Sequence, residues 1–246
     1  MLGEVRGYSV WRCGRCQSLF VPRMVEASDE EYLAFYRVGE RYHTEWMRRQ
    51  GYLTYRERFE HDHTLGLGRM GRIFARMPCG PLLDIGCANG GFLLAAADYG
   101  YAAMGIDANA SMMRYVAEEH GLLAAPCTFP GDRLWRAWVG QFRVVTMHDV
   151  LEHIRPFSAA LAASWQLLLP GGLLVVDTPD ATSDEALLLG CEWHHVKPEE
   201  HPVLFGQELL RALLDRAGFA VVKVEQPISG KMVFYATKRS TERKGV

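Results

Sequence analysis

From residue 80 onward, short apolar runs recur at 81–85, 102–106, 122–125, 142–147, 172–177, 220–225 and 232–237. Between them lie stretches at 91–99, 110–120, 132–139, 157–169 and 206–217 whose apolar positions follow a helical period, the last closing on Gly218 as a helix stop. Strands alternating with crossover helices are the pattern of a parallel sheet covered on both faces. The last two runs are joined by only a short Pro-Ile-Ser-Gly turn, too little chain for a parallel crossover, so they are expected to pair as an antiparallel hairpin at a sheet edge.

The first 79 residues read differently. Ser28-Asp29-Glu30-Glu31 is a capping box that opens a helix, and Tyr32, Phe35, Tyr36, Tyr42 and Trp46 then fall on one side of it. A second helix at 65–77 puts Leu67, Met70, Ile73, Phe74 and Met77 together and leads into the first strand. The predicted organisation is an N-terminal helical lid over 1–79, its aromatic face packed on the domain or covering a ligand pocket, followed by an α/β domain over 80–246.

Composition narrows the function classes. The chain has 246 residues, 49% hydrophobic and 23% charged, enough to bury a core. Its net charge is −2, without the positive field that nucleic acid or an anionic membrane surface requires. No run approaches the roughly 20 apolar residues of a membrane span, and Met-Leu-Gly-Glu-Val-Arg-Gly-Tyr lacks a signal-peptide core, so a cytoplasmic location is expected. The six cysteines show one close spacing, Cys13-Gly-Arg-Cys16, which does not form a disulfide framework in a reducing compartment.

The chemistry concentrates in Leu82-Leu83-Asp84-Ile85-Gly86-Cys87-Ala88-Asn89-Gly90-Gly91-Phe92, where an apolar strand runs into small residues and then a helix. Such a turn lets a ligand approach backbone N–H groups and a helix N-terminus. Asp107 follows Gly86 at the end of the second strand, placed to accept both hydroxyl hydrogens of a ribose. A nicotinamide fingerprint would need Gly at position 88, which is Ala, and would not put Asp84 beside a pyrophosphate. A carboxylate there suits a cofactor carrying an ammonium and a sulfonium, S-adenosylmethionine.

The run Leu83-Asp84-Ile85-Gly86-Cys87-Ala88-Asn89-Gly90 resembles motif I of the class I S-adenosylmethionine-dependent methyltransferases, (D/E)-x-G-x-G-x-G, with Ala88 in place of the middle Gly. Three further resemblances follow in family order: Asp149-Val150-Leu151-Glu152-His153 after the fourth strand, Leu169-Pro170-Gly171-Gly172-Leu173 into the fifth, and Ala217-Gly218-Phe219 into the sixth. The resemblance implies a Rossmann-like seven-stranded sheet of order 3-2-1-4-5-7-6 with the last strand antiparallel. It further implies that Asp84, Gly86, Cys87, Ala88 and Gly90 line the methionine part of the cofactor. Asp107 would hold the ribose, Ala108 and Thr128 the adenine, and Met147 and His148 would approach the methionine group and the transferred methyl.

A sulfonium methyl is already electrophilic, so such an enzyme mainly aligns it with an acceptor and excludes water. For a hydroxyl acceptor a base helps, and His148 and His153 stand at the end of the fourth strand. A loop between the fifth strand and the last helix carries Trp193, His194, His195 and His201, of which His201 ranks first as an acceptor-side residue. The expectation is methyl transfer from S-adenosylmethionine to a small-molecule acceptor at oxygen, by a monomer or homodimer. A protein or RNA methyltransferase and a non-catalytic cofactor-binding protein are the alternatives. His148 and His153 are five residues apart, the wrong spacing for a helix-borne zinc pair, so no metal is expected there. Cys13 and Cys16 resemble half of a zinc ribbon, and zinc there would need His43, His61, His63 or a second subunit to complete the site.

Overall fold

The computed structural model describes residues 1–26, 55–228 and 230–239. In chain order the strands are β1 (Gly3–Val5), β2 (Tyr8–Arg12), β3 (Leu19–Phe20), β4 (Gly80–Ile85), β5 (Tyr101–Asp107), β6 (Ala124–Pro126), β7 (Phe142–His148), β8 (Leu168–Pro179), β9 (Val203–Leu204), β10 (Phe219–Glu225) and β11 (Lys231–Lys238). The helices are α1 (Pro22–Glu26), α2 (Tyr55–Phe74), α3 (Gly91–Asp98), α4 (Ala110–His120), α5 (Phe157–Leu167), α6 (Asp184–Leu189) and α7 (Gln207–Arg216). Among the described residues no helix is long and apolar enough to cross a membrane.

Seven strands form one sheet in the order β10-β11-β8-β7-β4-β5-β6. Numbered by their order within the domain this is 3-2-1-4-5-7-6, as expected, with β11 antiparallel to both β8 and β10. β4 lies near the centre, and its Leu82, Leu83, Asp84 and Ile85 are all buried because both faces of the strand are covered. One core cluster joins β4, β7, β8 and β11 to α5 and α7; a second, on the other face, packs Met70 and Ile73 of α2 against Phe92, Ala95 and Ala96 of α3.

α2 begins at Tyr55, ten residues before the predicted start, and ends at Phe74. It can lie close on α3 because glycines face the contact. A Cβ on Gly66 would stand 2.8 Å from the Ala95 Cβ, and one on Gly91 2.7 Å from the Asp62 Cβ. The predicted helix at 132–139 is a 3-10 turn over Leu134–Trp138.

The N-terminal segment corrects the expectation of a wholly helical cover. β1, β2 and β3 form an antiparallel ladder that continues into β9, with Leu19 opposite Leu204 and Phe20 opposite Val203. Val10, Leu19 and Val21 close a third core with Ala181, Ala186, Trp193, Val196 and Leu204. Each of these strands is too short to signal itself, and the pairing partner lies far along the chain. The capping box at 28–31, the aromatic stripe from Tyr32 to Trp46, and His43 lie outside the described residues.

Candidate active site

The parallel strands β4, β5 and β7 end side by side, so the turn after each points to one edge of the sheet, beside the place where the strand order reverses. Residues 86–90 make the turn from β4 into α3. Gly86 sits at φ +76°, and a Cβ there would stand 2.4 Å from Val150 Cγ2, so only glycine fits. Ala88 also has a positive φ, 46°, the conformation for which the middle glycine of such a turn is suited. Asn89 is buried and tied on both sides: its Nδ2 donates to Asp62 Oδ2 at 2.9 Å and its Oδ1 accepts from the Gly91 N–H at 3.1 Å.

Asp84 pairs across the sheet with Thr146, and the Thr146 hydroxyl donates to Asp84 Oδ1 at 2.6 Å. The carboxyl is 3% exposed. Burial pushes its pKa up to about 7, against the pull of Thr146 and the more distant Arg69. Among the described residues, this buried acid has no contacting cation of its own.

Asp107 ends β5, where it accepts from the Ala88 N–H at 3.2 Å and the Asn109 N–H at 2.9 Å. It therefore joins the two turns that would flank a ribose, while Ala108 follows on the way into α4, which Asn109 caps through the Met112 N–H. Thr128 comes just after β6, beside Asp107: the Cys127 N–H donates to the Asp107 carbonyl and the Thr128 N–H to Asp132. The Cys87 thiol is packed with Leu93, Met112, Met113 and Val116, and Met147 is buried in the main core. Both residues can therefore present only backbone to the site.

His148 closes β7. Its ring is buried against Phe92 at 4.6 Å, its Nδ1 lies 3.5 Å from Asp177 Oδ2, and its Nε2 makes no hydrogen bond among the described residues. Burial, helped by Arg69, holds the imidazole at about 4, so it is neutral at pH 7 despite Asp177. Around it lies an ionic network that sequence reasoning missed. Arg69 of α2 reaches Asp177 at 2.9 Å and Asp149 at 3.5 Å, and Lys231 at the start of β11 contacts Asp149 and, at 3.1 Å, Asp177. Burial alone would raise the Asp177 pKa, but His148, Lys231 and Arg69 outweigh it and hold the group ionised. The one signal in the sequence was position: Asp177 ends an apolar strand at the sheet's ligand edge, and an antiparallel last strand brings its first residue, Lys231, to the same edge.

His153 and His201 stand apart from this network and face each other, with ring centroids 4.5 Å apart. Among the described residues no third donor gathers with Cys13 and Cys16, and His63 is engaged with Asp98 at 2.7 Å. The geometry is thus a strained small-residue turn, a buried acid behind it and a second acid at the neighbouring strand end.

Residues 55–224 match the family model described as a methyltransferase domain. The chain belongs to this methyltransferase family. Its fold is that of the S-adenosylmethionine-dependent members. A 1,6-didemethyltoxoflavin-N1-methyltransferase from Burkholderia thailandensis, solved with S-adenosylhomocysteine, superposes with TM-score 0.62 over 93% of this chain and 99% of that one, at 16% identity. A methyltransferase from Thermotoga maritima gives 0.61 over 83% of this chain and 100% of its own, at 20% identity. In sequence, the chain is 32% identical over 117 residues to a ubiquinone biosynthesis O-methyltransferase of Methylococcus capsulatus, covering 45% of this chain and 49% of the relative. The counterpart from Cereibacter sphaeroides is 35% identical over 117 residues, 46% of this chain and 47% of the relative. These matches thus span about half the length of the curated relatives.

Proposed function

We propose that this protein transfers a methyl group from S-adenosylmethionine to a hydroxyl oxygen of a small molecule. The observation that carries the cofactor assignment is Asp84: a carboxyl buried behind a glycine turn, with no contacting cation among the described residues, is completed by an ammonium group. The Asp107 carboxylate accepts from the Ala88 and Asn109 N–H groups, which fixes it at the strand end where a ribose would lie. A bound S-adenosylmethionine supplies an electrophilic methyl group. The chain's own residues then have to place an acceptor oxygen, keep water out and take up the hydroxyl proton. His148 suits the last task, because its buried ring is unprotonated at pH 7 and Nε2 has no other hydrogen bond among the described residues. Transfer at oxygen is supported by the similarity to ubiquinone biosynthesis O-methyltransferases, and the net charge of −2 favours a small acceptor over RNA.

Calorimetry tests the cofactor assignment directly. S-adenosylhomocysteine is expected to bind and NADH not to, with Asp84→Asn and Asp107→Asn each weakening binding on the order of tenfold or more. Transfer of labelled methyl from S-adenosylmethionine to a panel of small phenols, catechols and amines then tests the acceptor class. Absence of S-adenosylhomocysteine binding would overturn the cofactor assignment, and label appearing only on nitrogen acceptors would overturn oxygen.

A further inference from the structure

The turn after β7 and the loop before α7 converge on a group that the mechanism above does not use. A carboxylate oxygen of Glu152 and ring nitrogens of His153 and His201 all lie within 4.8 Å of one another. Glu152 is 2% and His201 5% exposed, and His153 is partly buried, so two of the three donors are withdrawn from bulk water.

Hydrogen bonds orient Glu152 and His201. His201 Nδ1 is 2.6 Å from the His195 carbonyl oxygen. A carbonyl only accepts, so Nδ1 carries the hydrogen and Nε2 keeps its lone pair. The Thr178 hydroxyl donates to Glu152 Oε2 at 2.9 Å and holds that carboxylate in place. An imidazole locked by its N–H to a backbone carbonyl, beside an oriented carboxylate and a second imidazole, has the outer shell typical of metal-ligating histidines.

We propose that Glu152, His153 and His201 form a binding site for one divalent transition-metal cation of the zinc class. Two imidazoles and a carboxylate are a donor set for zinc or ferrous iron rather than for calcium or magnesium. A cation about 2.1 Å from each donor would draw them to roughly 3.4 Å from one another. His153 sits on a three-residue 3-10 turn and is only partly buried, so the required shift falls on the least constrained of the three. Spacing within the Asp149 to His153 segment argued against a zinc pair of His148 with His153, and the site proposed here does not use His148. The third ligand comes instead from a loop that only the fold brings near. Three protein donors leave a coordination position open to an oxygen ligand. Resting on the O-methylation reading, that ligand is the acceptor hydroxyl, whose acidity the cation would raise.

The test uses the full chain without a polyhistidine tag, stripped with a chelator and titrated with zinc(II) and cobalt(II). One ion per chain is expected, with a visible cobalt ligand-field band. Glu152→Gln and His201→Ala should each weaken binding on the order of 100-fold, while Cys13→Ser combined with Cys16→Ser leaves it unchanged. If His201→Ala does not fold, as judged by its thermal transition, His201→Gln serves in its place. Failure to take up either ion, or uptake that survives both Glu152→Gln and the His201 variant, would overturn the site. Catechol added to the cobalt-loaded protein should shift the band, and an unchanged band would remove the acceptor role. S-adenosylhomocysteine binding, measured on the same stripped sample, separates the two ideas: intact binding without metal uptake defeats the metal site alone.

Discussion

Asp84 is the residue at which burial and function meet most directly. Its pKa of about 7 lies above the ordinary carboxylate value, so between roughly pH 4 and 7 the folded protein holds a proton that the unfolded chain has released. The linked stability is therefore fully present below pH 4 and declines as pH rises through 7. An ammonium group brought beside Asp84 would reverse the preference and expel the proton. Binding of S-adenosylhomocysteine near pH 7 is thus expected to release a proton, seen as a dependence of the calorimetric heat on buffer ionisation enthalpy, and Asp84→Asn should abolish it. Equal uncorrected heats in phosphate and Tris would show that no proton is released and that Asp84 does not meet the ammonium. Asp84 and Asp107 could be recognised in the sequence because each ends an apolar strand. The neutral state of His148 could not, since it depends on Phe92 and Arg69, which come from two other elements.

At the level of elements, α2 is fastened to the ligand edge by charge as well as by packing. Arg69 bridges from the helix to Asp177 on β8 and Asp149 after β7, while Met70 and Ile73 beside it enter the core between α2 and α3. Removing one partner of a mostly buried ion network leaves its counterpart poorly compensated. Arg69→Met is expected to cost about 2 kcal/mol in urea denaturation and to raise the affinity of the His148 ring for protons, because a nearby positive charge is lost. An NMR titration of His148 that shows the same or a lower pKa in this variant would contradict the assigned electrostatics. The helix itself was visible from its apolar spacing, but its start was not: residues 55–64 are mostly charged or polar, and they are helical because the Gly66 and Gly91 contact draws the segment along α3.

Across the whole molecule, the N-terminal ladder and the segment from 180 to 205 stabilise one another. Leu19 is buried between β2 and β9, and the Ser18 hydroxyl accepts from the Gly206 N–H at the start of α7. Leu19→Ala is expected to cost about 2–4 kcal/mol. Hydrogen exchange should rise first in residues 193–204, which carry His201, and later in the turn at 86–90; simultaneous loss of protection in both would mean that the two regions unfold as one unit. The alternation of apolar runs and helical stretches by itself determined the seven-stranded sheet and its terminal hairpin, because most of those runs are long enough to display their own period and they recur in a regular strand and helix alternation. The glycine turn and the acids at the strand ends were legible for the same local reason. Tertiary structure alone decided what depends on pairing between distant segments: the β3 and β9 contact, the Arg69 and Lys231 network, and the meeting of Glu152 and His153 with His201. These are short or isolated residues whose partners are set by where the sheet's crossovers end, and no local periodicity encodes that distance.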